Sequence, residues 1–309
     1  MAIARSILLR ASRSQWLAES LMRRPFAKRA VKRFMPGEEL SDALDAAAAL
    51  GPANLGTILT KLGENLTSLA EADGVRDHYL DAFDQIQQRG LPRSVVSVKP
   101  TQLGLDHSMV ACAAHLETLA VKAESVGSIL WIDMEDSSYV DRTLALYRGL
   151  KARHPAIGIA IQAYLRRTPA DVDSLLPLNP IIRLVKGAYA EPAQVAFPDK
   201  RDTDKAYYEL AGALLEAAKQ GSALPIFGSH DLALLRRIID RATQLGVAKD
   251  KYEIHMLYGI KMEDQRALAR EGQTMATLIS YGSAWFPWYL RRLAERPANV
   301  WFVMRSLLD

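Results

Sequence analysis

Residues 128–163 hold Ser128-Ile129-Leu130-Trp131-Ile132, a helix-length stretch Tyr139–His154, and then Ile157-Gly158-Ile159-Ala160-Ile161-Gln162-Ala163. Two short apolar runs flanking one helical segment read as a β–α–β unit, whose parallel strands are buried on both faces. The alternation continues outward in both directions. Gly56–Lys61 and Ser94–Val98 lie upstream; Ile181–Val185, Leu224–Phe227, Tyr252–Leu257 and Ala276–Ile279 lie downstream. Asp106–Val126, Thr203–Gln220 and Leu232–Leu245 are long enough for further helices between them. Eight such runs in about 230 residues match one (β/α)8 barrel, an α/β fold. An open doubly wound sheet fits less well, because no strand is followed by the glycine-rich turn of a dinucleotide fold.

Nothing inside 56–305 reads as a linker, so residues 56–309 are expected to form the barrel domain, with 1–55 a basic arm and helices before it. Met35-Pro36-Gly37 breaks the chain, and Gly37–Asp42 leads into an Ala-rich helical pattern that ends at Gly51-Pro52. The 309 residues are 49% hydrophobic, which excludes a disordered chain, and the lone Cys112 excludes a disulfide framework or a cysteine metal knot. The longest apolar runs fall far short of a membrane-spanning helix. Charge is divided unevenly: residues 1–35 carry nine Lys/Arg against Glu19, a net +8, which leaves −4 for the rest of a +4 chain. The body is therefore not a nucleic-acid surface by bulk charge. The arm is basic, acid-poor and punctuated by serines, as transit segments are, but Ser6–Leu9 is too short for a secretory core. Trp16, Leu17, Leu21 and Met22 can share one helical face, which either packs on the protein itself or lies on a membrane surface.

Barrel chemistry gathers where strands end. Lys99, Asp133, Gln162, Arg183, Lys186, Ser229-His230-Asp231 and His255 occupy those ends. Each has a structural explanation, such as a Lys99–Asp133 ion pair, but six strand ends carry such groups together. No histidine spacing suits zinc, and there is neither a Gly-x-Ser-x-Gly elbow nor a Walker loop. Asp133-Met134-Glu135-Asp136 has oxygen ligands for a cation, although acidic residues in a helix-leading turn more often cap. In Trp285–Glu295, positions 288, 292 and 295 share a helical face with 291 beside them. Arg291 and Arg292 then form a planar clamp for a small carboxylate, or else an amphipathic helix with an Arg–Glu pair.

Together, Arg183-Leu184-Val185-Lys186-Gly187-Ala188-Tyr189, Ser97-Val98-Lys99, Ile132-Asp133-Met134-Glu135, Met256-Leu257-Tyr258-Gly259 and Tyr289–Asn299 resemble the flavin-dependent proline dehydrogenases. The likeness runs in order from about residue 56 to 308 and is most similar to the monofunctional bacterial form, since no aldehyde dehydrogenase region follows. It implies a barrel that holds FAD at its C-terminal face and oxidises L-proline to 1-pyrroline-5-carboxylate, passing electrons to a quinone or another acceptor. It further implies that Lys99 and Asp133 line the substrate end, Arg291 and Arg292 hold the proline carboxylate, and Tyr189, Leu257 and Leu278 wall the pocket. Arg183 is implied near the flavin N5, with Asp133 the other catalytic residue. Met134, Gln162, Val185, Lys186, Gly187, Ala188, Ser229, His230, His255 and Glu295 are implied cofactor contacts. His255, Leu278 and Trp288 depart from the residues expected there, a Gln and two tyrosines.

Those residue types suit the chemistry. Hydride transfer needs the substrate C5–H held over the flavin, which performs the electron chemistry itself. Positive groups near the ring favour an anionic reduced flavin, and Gly187 and Ala188 let backbone approach closely. The amine must give up a proton, for which Lys99 and Asp133 are both candidates. Two other classes compete: a Schiff-base lyase or aldolase using Lys99 or Lys186, and a non-catalytic barrel that binds a membrane or acidic partner through its arm. The expected setting is the cytoplasm, with peripheral contact at the inner face of the membrane.

Overall fold

Strand residues alternate between two burials in the computed structural model, which describes residues 31–63 and 66–285. Leu59, Val98, Ile132, Ile161, Leu184, Phe227, Met256 and Ile279 point outward and are covered by helices. Ile58, Trp131, Ile226 and Ala276 point inward, with Val95, Ile129, Ile181, Leu224 and Leu278 packed on them. A period of two with both faces apolar fits a closed parallel sheet.

The strands β1 (Leu55–Lys61), β2 (Ser94–Val98), β3 (Leu130–Ile132), β4 (Ile157–Gln162), β5 (Ile181–Val185), β6 (Leu224–Gly228), β7 (Glu253–Leu257) and β8 (Met275–Tyr281) form a closed barrel in chain order. Closure is made by β8 on β1, in register from Leu55 opposite Met275 to Lys61 opposite Tyr281. Among the described residues the helices are α1 (Leu40–Leu50), α2 (Leu69–Gln88), α3 (Met109–Ser125), α4 (Val140–Lys151), α5 (Thr168–Leu175), α6 (Lys200–Lys219), α7 (Leu232–Leu245) and α8 (Met262–Arg270). The barrel expected from the alternation is the one observed, and α1 is the Ala-rich pattern. Leu40, Ala43, Leu44, Ala47 and Leu50 form its buried stripe against β8 and β1.

Boundaries differ for local reasons. The run Ser128–Ile132 becomes strand only at Leu130, because the Ser128 N–H still donates to Ala123 O and Gly127 turns the chain at φ +65°. β8 is longer than Ala276–Ile279, adding Met275 before it and Ser280 and Tyr281 after it, because β1 pairs with its whole length. Gly158 makes the barrel interior possible: a Cβ there would lie 2.6 Å from the Trp131 ring, so the missing side chain is the space the indole fills. No helix among the described residues is long and apolar enough to cross a membrane. The readings placed on Trp16, Leu17, Leu21 and Met22, and on Trp288, Arg291, Arg292 and Glu295, lie outside the described residues.

Candidate active site

The ends of β2, β3 and β5 bring three expected residues together. Ser97 Oγ donates to Asp133 Oδ1 at 2.8 Å. Arg183 Nη2 donates to the same oxygen and contacts Ser97 Oγ at 3.1 Å. Lys99 Nζ stands 3.9 Å from Asp133 Oδ2. Arg183 reaches β3 across β4, where its register partner is the small Ala160. Its guanidinium lies 4.8 Å from the Trp131 ring centre, a cation–π contact. Burial pulls the Arg183 pKa below its ordinary value and Asp133 opposes the shift, so Asp133 is the counter-ion of a buried charge.

On β7, His255 meets Glu253 with Nε2 3.0 Å from Oε2, and its ring is edge-on to Trp131 at 5.8 Å. Burial, aided by the charge of Arg183, lowers the His255 pKa against the opposing Glu253, so the imidazole is neutral near pH 7. His230 Nε2 accepts the Leu257 N–H at 2.9 Å. On β4, Gln162 Nε2 donates to Glu135 O at 3.0 Å.

Beyond β5, Lys186 Nζ is 2.5 Å from Asp204 and 3.0 Å from Asp231, and Lys200 joins both carboxylates. Burial raises the Asp231 pKa, but the Lys186 hydrogen bond and the Leu234 N–H outweigh it and hold the carboxyl at about 2. Asp231 also caps α7 by accepting that N–H, while the Asp231 N–H donates to Ser229 Oγ at 3.1 Å. Two carboxylates on Lys186 make it an ion-pair partner, which opposes its use as a neutral amine nucleophile. Gly187 adopts φ +116°, and a Cβ there would lie 2.3 Å from the Tyr164 ring.

Other expected positions fall as follows. Val185 and Leu257 are half-buried, two residues from Arg183 and His255 on the same strand faces. Leu278 packs on the interior cluster, and Ala188 and Tyr189 are half-buried in the segment after β5. Met134 is buried in the main hydrophobic cluster, with its carbonyl 3.5 Å from Gln162 Nε2. The acidic run caps rather than collects: Glu135 accepts the Thr101 N–H at 3.0 Å and the Thr101 hydroxyl, while Asp136 accepts the Ser138 N–H at 2.9 Å.

Sequence reasoning missed Ser97, Trp131 and Glu253 as site residues. Each stands two residues before Lys99, Asp133 or His255, so the strand period places both on one face and was the available signal. Asp204, the partner of Lys186 from α6, had no comparable signal.

Three buried polar atoms without a hydrogen-bond partner lie here. Arg183 Nη1, a donor, and Gln162 Oε1 and His255 Nδ1, acceptors, are each enclosed and unpaired. Such atoms call for an explanation. A planar heterocycle carrying carbonyl and N–H groups, as a flavin does, satisfies both kinds. The residues present fit that cofactor.

A family model described as proline dehydrogenase matches residues 43–305. Proline dehydrogenase 1 of Bacillus subtilis subsp. natto is 35% identical over 277 residues, 90% of this chain and 90% of the relative. The proline dehydrogenase of Deinococcus radiodurans is 34% identical over 286 residues, 90% of this chain and 89% of the relative. Among solved structures, proline utilization A from Bdellovibrio bacteriovorus, inactivated by N-propargylglycine, superposes with a TM-score of 0.80 at 26% identity. That match covers 86% of this chain and 32% of the larger one, so the chain spans about a third of its length.

Proposed function

Because the chain belongs to the proline dehydrogenase family, we propose that its barrel mouth binds FAD and L-proline and oxidises the substrate to 1-pyrroline-5-carboxylate. The chain is a proline dehydrogenase, an enzyme of the first step of proline catabolism. The observation that supports the cofactor and site assignment is the Lys99–Asp133–Ser97–Arg183 network beside three unpaired buried polar atoms.

A bound flavin supplies the two-electron acceptor; the protein supplies position and charge. Asp133 Oδ1 is engaged by Ser97 and Arg183, which fixes the guanidinium and leaves its Nη1 as a donor that a bound flavin would take up. Asp133 Oδ2 has Lys99 3.9 Å away, and this oxygen receives the N–H of the substrate amine as the nitrogen loses its proton. Arg291 and Arg292 hold the substrate carboxylate, and Tyr189, Leu257 and Leu278 enclose its ring methylenes. Met134, Gln162, Val185, Lys186, Gly187, Ala188, Ser229, His230, His255 and Glu295 hold the cofactor. Residues 56–309 form the catalytic domain, and the arm within 1–55 makes peripheral contact with an anionic membrane, where a quinone or another acceptor takes the electrons.

The test is the visible spectrum of the purified protein. A flavin band bleached by L-proline without oxygen is expected. A colourless protein that gains no band with FAD, or a band that proline leaves unchanged, would overturn the reading. For the arm, a chain starting near Pro36 is expected to lose sedimentation with anionic vesicles; undiminished sedimentation would refute that role.

A further inference from the structure

We infer that Glu253 is a positioning residue for this site, one that fixes the His255 imidazole as a hydrogen-bond acceptor for a ring N–H of the bound flavin. The inference rests on the FAD reading above and adds to it the direction of one hydrogen bond.

An ionised carboxylate can only accept, so the 3.0 Å contact with Glu253 Oε2 requires a proton on His255 Nε2. In a neutral imidazole that leaves Nδ1 with a bare lone pair. Two groups besides Glu253 bear on the protonation. Arg183, on β5, disfavours an imidazolium, and burial acts in the same direction. Arg93 faces Glu253 and favours its carboxylate, which the His255 hydrogen bond holds below its ordinary value although burial raises it. The pair is thus a carboxylate accepting from a neutral ring.

The ring cannot turn its other edge to the site cheaply. Trp131 meets it at 74° and carries Arg183 on its face, so a flip would break the Glu253 contact and disturb that stack. His255 Nδ1 is enclosed with no partner, and so is Arg183 Nη1. An acceptor and a donor are therefore bare in one barrel interior, the complement of an N–H beside a carbonyl. The pyrimidine portion of a flavin ring presents that edge. An amide side chain at 255 would offer donor or acceptor by rotation, whereas the imidazole locked by Glu253 offers an acceptor alone.

The test uses the FAD-loaded full chain labelled with 15N-histidine, with His255 assigned by the signals lost in His255→Gln. The expected spectrum at pH 7.5 shows a neutral Nε2–H tautomer, with Nδ1 shifted upfield from the value of a bare imidazole nitrogen. Glu253→Gln, which no longer dictates the tautomer, is expected to weaken FAD binding about tenfold, the worth of one hydrogen bond. His255→Leu should do the same, and His255→Gln should recover most of the affinity. An imidazolium, an Nδ1–H tautomer, an Nδ1 signal at the bare value, or wild-type FAD affinity in Glu253→Gln overturns the inference. If the wild-type flavin is bleached by proline while Nδ1 is bare, only this inference fails. If the wild type binds no FAD, the functional reading fails and takes this one with it.

Discussion

The barrel contains two charged clusters built from similar residues, and they end differently. Before β4, His154 lies between two carboxylates of α3, with Nε2 2.8 Å from Glu117 and Nδ1 3.0 Å from Glu124, while Arg153 shares Glu117. Both carboxylates reach solvent, at 36% exposure each. Inside the barrel, Arg183 is 4% exposed and Asp133 19%, and the network stops at Nη1 with nothing to receive its proton. In the outer cluster His154 Nδ1, though outside hydrogen-bonding geometry, still faces the Glu124 carboxylate at 3.0 Å; in the inner one Arg183 Nη1 has no acceptor. A group left unsatisfied at that depth is a cost the fold bears for a ligand.

Breaking each cluster should separate them. The largest stability effect is expected for Asp133→Ala, which strands a buried guanidinium and should cost about 3–5 kcal/mol in denaturant unfolding. Arg153→Ala, which removes the exposed pair with Glu117 from the outer cluster, should cost about 0–1 kcal/mol in the same measurement. Next in size, Arg291→Ala or Arg292→Ala should raise KM for proline about ten- to a hundredfold, with flavin content retained, as loss of a charge-assisted hydrogen bond predicts. Unchanged proline kinetics in both would remove the clamp.

A smaller effect should come from the apolar wall. Leu278 packs among Ile58, Ala276 and their neighbours, a surface that grips methylenes and discriminates poorly against an added hydroxyl. The wild type should process 4-hydroxyproline with a kcat/KM penalty of about a hundredfold or less. Leu278→Tyr should widen the preference for proline, and an unchanged ratio would mean that Leu278 does not line the ring site.

The smallest effect belongs to His154. Burial lowers its pKa, but Glu117 and Glu124 outweigh this and raise it above 6.5. A raised folded-state value stabilises the fold fully below 6.5 and loses that contribution as pH climbs through the folded value. The stability gap between wild type and His154→Gln, followed by thermal unfolding, should therefore be widest below pH 6.5 and narrow above it. A gap independent of pH would mean that the imidazole is not charged between those carboxylates.

The fold was legible because each strand has an apolar outward face and most add apolar residues inward, so runs such as Ile181–Val185 stand out whatever the helices do. Ends were less legible: nothing in Ser128-Ile129 says that Ser128 is still tied to Ala123 of the preceding helix. Lys99 and Asp133 were legible as single residues because they follow strand ends, and Arg183 because it is the one charge inside the apolar run Ile181–Val185. Their meeting was not, since the barrel stagger decides that Arg183 passes Ala160 to reach β3. Trp131 illustrates the limit. Its sequence position says only that it shares a face with Asp133, while its place between Arg183 and His255 needs the closed sheet.

The difference between the two clusters is tested most directly by single-turnover flavin reduction with L-proline under anaerobic conditions, comparing wild type, Asp133→Ala and Arg153→Ala. Reduction about a hundredfold slower or worse in Asp133→Ala, with Arg153→Ala at the wild-type rate, is expected if the interior network positions substrate and cofactor. Wild-type reduction in Asp133→Ala would contradict it, and would make Asp133–Arg183 one more structural ion pair.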